Sequence, residues 1–201
     1  MKANDRILQA LEEEESRREK SLVKVIGKLG VYNDLFFPIK GVGPKIAARI
    51  ITAIGDIRRF PTASKIKAFC GVHVLFEFPQ NGKTVVRKLL PGELPNENPR
   101  FARKRMGELA NWHNDARQAL YLLGDQFNRR PDSVWGQKLL EYKVKFREKH
   151  PEVIVGDNGK KKYTNAHIHK MATWRTLTKF VEWLWREWTR LEKPEAQSKA
   201  A

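Results

Sequence analysis

The stretch LFFPIKGVGPKIAARII, residues 35–51, constrains this chain most, because an apolar helix end meets a Gly-x-Gly-Pro turn and then a second apolar-periodic helix. That order is a helix-hairpin-helix signature. Gly41 and Gly43 are expected to let the backbone turn tightly with no Cβ in the way, so that unpaired amides opening the second helix point outward. Pro44 suits the first helical position, where a missing N–H costs nothing, and Lys45 and Arg49 follow one turn apart on the solvent side. Such amides and cations suit a phosphate. The stretch predicts backbone-directed nucleic-acid binding without base reading, carried by Lys40, Gly41, Val42, Gly43, Lys45 and Arg49. Read alone, it also fits a glycine-turned connection between two core helices.

Charge favours the first of these readings. With 39 Lys and Arg against 23 Asp and Glu the chain carries a formal +16, a balance that favours polyanions through counterion release. Residues 1–20, with the acidic run Glu12 to Glu15, are nearly balanced, so the positive excess belongs to the remainder. At 201 residues and 41% hydrophobic content the chain can fill a packed core. No apolar run approaches ~18 residues. The opening MKANDRILQALEEEESRREK lacks the apolar stretch of a signal peptide, so neither a membrane span nor secretion is expected. The chain is placed in the cytoplasm, associated with the nucleoid. Cys70 is the single cysteine, which excludes an internal disulfide, and between Phe69 and Gly71 it reads as a small buried hydrophobe.

Residues 3–28 form a helical pattern whose middle, EEEESRREK, is charged all round, so this helix is expected to stand in solvent or contact a partner. A short helix over Val31 to Phe37 precedes the turn, and the next runs from Pro44 to Ile54 and stops at Gly55. After the connection Asp56 to Phe60, Thr62 is placed as N-cap of a helix carrying Ile66, Ala68 and Phe69 and ending at Gly71. From Val72 the period changes. VHVLFEF and KTVVRKLL, separated by Pro79-Gln80-Asn81-Gly82, predict a β-hairpin, and PGELPNENP follows as a breaker-rich linker.

Three long helices are then predicted. The first, Arg100 to Gly124, aligns Ala102, Met106, Leu109, His113, Ala116, Leu120 and Leu123 on one stripe and crowds Arg100, Arg103, Lys104 and Arg105 into its first turns. A cationic first turn opposes the helix dipole by tenths of a kcal/mol to about 1 kcal/mol. A bound phosphate would explain it, and so would a solvated charged face. The second helix, Pro131 to His150, buries Trp135, Leu139, Tyr142 and Phe146 and exposes a face of lysines. A loop through Asp157-Asn158-Gly159 and Lys160 to Lys162 leads to the third, Asn165 to Leu191, where Trp174, Leu177, Val181, Leu184, Trp188 and Leu191 share a stripe flanked by Trp183 and Trp185. That spacing favours core packing or a helix-helix dimer contact over base stacking.

Residues 35–71 resemble the C-terminal transposase domain of the bridge-recombinase insertion-sequence transposases. The shared order is a Gly-x-Gly hairpin, an Ile-Gly-Asp-Ile segment, a Phe-Pro step and a helix ending in Gly, here Gly41 and Gly43, Ile54 to Ile57, Phe60-Pro61 and Gly71. Further on, Asn98 to Arg103 and Ala166 to Trp188 are loosely similar to the family's later helices. The resemblance implies DNA or structured-RNA binding inherited from a transposase. In that family a RuvC-like domain with four acidic metal ligands precedes this one, and the 28 residues before the hairpin are too few to hold it. The family's nucleophilic serine before Gly corresponds here to Asn81 before Gly82, which has no nucleophilic oxygen, and nearby Thr84 has no evident base. Strand cleavage by this chain alone is therefore not expected.

The five histidines are dispersed, and His167 and His169 point to different sides of a helix, so no metal site is expected, and GVGPK lacks the ending of a P-loop. No catalytic residue, metal or other cofactor is assigned. The expected fold is mainly α, a helix-hairpin-helix unit plus a helical C-terminal part with one small β-hairpin. It divides into an N-terminal charged helix (1–28), the hairpin unit with its β-arm (29–95), the helical part (96–193) and a disordered tail (194–201). The expected partner is nucleic acid, DNA ahead of RNA, together with a second copy of the chain or a separate catalytic chain. An active recombinase subunit and a structural ribonucleoprotein component are the alternatives.

Overall fold

The structure, a computed structural model, describes residues 5–81, 83–88, 90–93, 99–103, 107, 109–155 and 159–192. Lys104 and Arg105 lie outside the described residues, as do Gly82, Asp157, Asn158 and the tail after Glu192. Helix α1 (Arg6–Ile26) opens on Asp5, whose carboxylate accepts hydrogen bonds from the amides of Ile7 and Leu8. Ile26 is its one buried side chain, while Ile7, Leu11, Val23 and Val25 are exposed. The charged middle thus keeps α1 on the surface, as its all-round polarity dictates.

Before the glycine turn the chain makes one wide π-helical turn, Tyr32–Phe36, that drives Leu35 and Phe36 into the core. Helix α2 (Pro44–Ile54) buries Ala47, Ile50 and Ile54 at helical spacing and ends at Gly55, whose φ of 66° only glycine adopts freely. A 3-10 turn (Ile57–Arg59) leads to α3 (Ala63–Phe69). Thr62 occupies the N-cap position of α3, but its side chain makes no capping bond.

The expected β-hairpin forms from β1 (Val74–Gln80) and β2 (Lys83–Arg87), with Gln80 opposite Lys83. A third strand, β3 (Pro99–Phe101), pairs antiparallel with the other edge of β1, so the sheet order is β2-β1-β3. Arg100 therefore sits on a strand, and the helix expected from Arg100 begins at Asn114 instead: α4 spans Asn114–Arg129. The open edge of β1 offers hydrogen-bond partners to residues 99–101, while the cationic first turn works against a helix and Gly107, with φ 81°, breaks the stripe. His113, expected within that helix, instead caps α4: its ring nitrogen Nδ1 accepts from the Ala116 amide at 3.3 Å.

Helix α5 (Val134–Lys149) is capped by Ser133, whose Oγ accepts from the Gly136 amide at 3.0 Å and donates to the Arg130 carbonyl at 2.7 Å. Residues expected as a loop pair as a second, two-stranded hairpin, β4 (Val153–Val155) with β5 (Lys160–Lys162). Helix α6 (Asn165–Glu192) closes the fold. The fold is mainly helical, and no helix among the described residues is long and apolar enough to cross a membrane.

One core gathers Phe36, Ile50, Ile54, Ile57 and Ile66 from the first part with Leu120, Leu123, Phe127, Leu139, Leu177, Phe180 and Leu184 from the helices. Phe180 of α6 sits at its centre, with ring centroids 5.7 Å from Phe127, 5.2 Å from Trp135 and 6.5 Å from Phe36. The tryptophans of α6 belong to this core: Trp188 is buried, and Trp185 donates from Nε1 to the Phe60 carbonyl at 2.8 Å. The buried stripe expected of α6 holds for Leu177, Val181, Leu184 and Trp188, with Trp174, Trp183 and Trp185 partly buried against the core, whereas Leu191, expected on the same stripe, is exposed. Cys70 is buried too, and burial pushes its thiol up to about 12, so it stays protonated and unreactive.

The three-stranded sheet packs mainly on itself and joins the helical body at its roots. There Arg117 of α4 donates to the Gly71 carbonyl just before β1 and, at 2.6 Å, to the Ala102 carbonyl just after β3. Its guanidinium lies between the rings of Trp112 (4.4 Å) and Trp174 (4.3 Å). Thr178 of α6 adds a hydroxyl bond to the Val72 carbonyl at 2.7 Å.

Candidate nucleic-acid interface

The glycine turn has two unlike glycines. Gly41 has φ 96°, and a Cβ there would meet Arg130 Cγ at 3.1 Å, so both backbone and space demand glycine. Gly43 is extended, with φ −78°, and nothing lies within 4 Å of a Cβ built on it. It is the exposed N-cap residue of α2, and its carbonyl accepts from the amides of Ile46 and Ala47, both at 3.1 Å. The tight turn thus needs Gly41 alone, correcting the expectation that both glycines serve it. Between them Val42 is buried at 6% exposure, a core plug whose part in any contact is its backbone.

The amides expected to face outward have no partner in the backbone. Among the described residues the amides of Gly43 and Lys45 meet no backbone acceptor, and Pro44 between them has no N–H to offer. Lys40, Lys45 and Arg49 are all exposed around them. Phe37, 70% exposed at the start of the turn, adds an apolar tip that periodicity assigned to the preceding helix.

Two of the three cations already hold carboxylates. Lys40 is paired with Asp132 in the connection between α4 and α5, and Lys45 is paired with Glu19 of α1, with Glu15 3.8 Å away. Among the described residues Arg49 has no ion-pair partner. The acidic stretch of α1, expected to be a solvated face, therefore reaches the turn. Glu14 is different: hydrogen bonds from Arg18 and Arg17 hold its carboxyl below the usual range, so its charge is spent within α1. Between α1, α2 and α4 lies an open groove of about 1300 Å³ that brings Lys45 and Arg49 opposite Glu14, Glu15, Arg18 and Glu19.

Surface pairs of this kind are each worth about 0–1 kcal/mol, so a polyanion can displace them. Neutralising the two acids in Glu15→Gln/Glu19→Gln is expected to raise affinity for duplex DNA about two- to fivefold in 0.1 M salt. Equal affinities in a fluorescence-anisotropy titration would show that α1 does not touch the binding surface.

Arg100 and Arg103 are not part of this groove. Arg100 lies on β3, and Arg103 follows Ala102, whose carbonyl Arg117 holds. No group of His, Cys, Asp and Glu among the described residues could hold a metal ion.

The turn, α2, the 3-10 turn and α3 form one continuous segment, and that segment has relatives. Residues 33–75 match the Transposase IS116/IS110/IS902 family. The match begins in the π-helical turn and ends where β1 begins, so it takes in the turn and the cations around it and leaves out α1, β2 and everything after them. The likeness to transposases is confined to this segment. No curated protein and no solved structure matches the chain.

Proposed function

We propose that this chain is a nucleic-acid-binding protein of transposase origin that grips the phosphate backbone of DNA, using the Gly41 turn and α2 as a helix-hairpin-helix. One observation carries this reading: the segment similar to a transposase family contains the amides of Gly43 and Lys45, which meet no backbone acceptor among the described residues, together with the exposed Lys40, Lys45 and Arg49. Amides at a helix start favour an anion, and three exposed cations supply the counterion release that makes such binding tight at low salt and loose at high salt. Phosphates are shared by all sequences, so no base preference is expected.

DNA is favoured over RNA because the matched family is one of transposases. Filter binding with duplex DNA, single strands and structured RNA at two salt concentrations tests the reading. Duplex DNA is expected to bind without sequence preference and to weaken as salt rises. Failure to retain any duplex at 50 mM salt would overturn it, and metal-dependent nicking of supercoiled plasmid by the purified chain would replace it with the recombinase reading.

A further inference from the structure

Far from the glycine turn, five rings from three elements form one continuous column. Tyr142 and Phe146 of α5 stack at 6.2 Å and 27°, Phe146 and His150 at 6.4 Å and 29°, His150 and Tyr163 at 4.6 Å and 18°, and Tyr163 and His167 at 5.3 Å and 15°. The column starts against the hydrophobic core, where Tyr142 and Phe146 pack, and ends at the surface on His167 in the first turn of α6. His167 is exposed, and among the described residues no further ring covers it.

The backbone is arranged to hold this column. Tyr163 has φ 57°, a left-handed conformation uncommon outside glycine. Arg147 of α5 ties this turn down, donating to the Tyr163 carbonyl at 2.8 Å and to Asn165 Oδ1 at 2.6 Å. The surroundings are cationic: residues 141–170 hold eight Lys and Arg against four Asp and Glu. Lys161 is paired with Glu152, whereas Lys149 is exposed and Lys162 lies 5.1 Å from the Tyr163 ring centroid.

A flat ring presented at the surface among lysines has the chemistry that receives an unpaired base, since every base has a π-face and carries a phosphate beside it. We propose that the His167 end of the column is a stacking site for an unpaired base of single-stranded nucleic acid, with Lys149 and Lys162 taking the adjoining phosphates. This site is separate from the glycine turn and asks for a different form of nucleic acid.

The test compares a twelve-residue oligothymidine with an abasic strand of the same length and charge, binding each to the full chain by fluorescence anisotropy, with oligouridine as the RNA arm. Stacking of one base is worth roughly five- to 150-fold in affinity, so oligothymidine or oligouridine should bind at least about fivefold more tightly than the abasic strand. His167→Ala, an exposed change, and Tyr163→Asn, which tolerates the left-handed backbone, should each reduce that preference to near one while leaving abasic binding unchanged. His167→Tyr should restore it. Lys149→Glu should weaken all strands alike. Equal binding of intact and abasic strands by the wild-type chain, or a preference that survives both His167→Ala and Tyr163→Asn in variants that melt like wild type, overturns the site. Duplex binding through the glycine turn should be untouched by His167→Ala, so the two readings can fail independently.

Discussion

Gly136→Ala is expected to cost the protein about 3 kcal/mol, lowering its melting temperature by about 6–12 °C. A Cβ at this position collides with the Arg130 carbonyl oxygen and lies 2.8 Å from Pro131 Cα, so the obstruction is backbone that cannot rotate away. The same contact supports the site. Ser133 ties the Gly136 amide to the Arg130 carbonyl, Arg130 packs on Gly41, and Asp132 holds Lys40. Displacing residues 130–133 should therefore weaken duplex binding along with stability. A Gly136→Ala chain that melts within about 2 °C of wild type would show that the first turn of α5 has room to spare.

Arg117→Ala is expected to have a loss of similar size, about 3 kcal/mol, located at the opposite end of α4. It strips the Gly71 and Ala102 carbonyls of a charged donor and empties the space between Trp112 and Trp174. Burial holds the guanidinium below its usual range, yet arginine stays charged in proteins, so the residue is a cation whose neighbours are carbonyls and ring faces. Arg117→Lys keeps the charge but loses the planar fork, and should recover only part of the stability. Hydrogen exchange localises the effect: amides of β1 should lose protection in Arg117→Ala while those of α5 are spared. Uniform loss, or none, would contradict a clamp at the roots of the sheet.

The matched segment and the last helix were the most legible parts of the sequence, for different reasons. In α2 the breakers Gly43-Pro44 and Gly55 bracket an apolar period, so local rules and tertiary packing agree. The Trp-rich helix α6 was readable because a buried stripe imposes its own spacing. Residues 99–113 misled, since Ala102, Met106 and Leu109 keep a helical period that the open edge of β1 overrides for 99–101. Strand pairing is a long-range choice, invisible to periodicity. The β4–β5 hairpin did leave a signal in the β-branched run Val153 to Val155 ahead of Asn158-Gly159.

At the candidate site the sequence located the cations but not their partners. Lys45 meets Glu15 and Glu19 only because α1 folds back beside α2, and Lys40 meets Asp132 across more than ninety residues of chain. The ring column was equally hidden. Tyr142, Phe146 and His150 follow at i, i+4 and i+8, but Tyr163 and His167 join them through a turn whose left-handed residue is a tyrosine, which no composition rule anticipates.

Whether the glycine turn grips phosphates is measured most directly by the salt dependence of duplex affinity, comparing the wild-type chain with Lys40→Gln/Lys45→Gln/Arg49→Gln. Log affinity should fall linearly with log salt for both, and the triple variant should show a slope shallower by about two to three, one released counterion for each lost cation. Parallel lines for the two proteins would mean that the phosphates are held elsewhere.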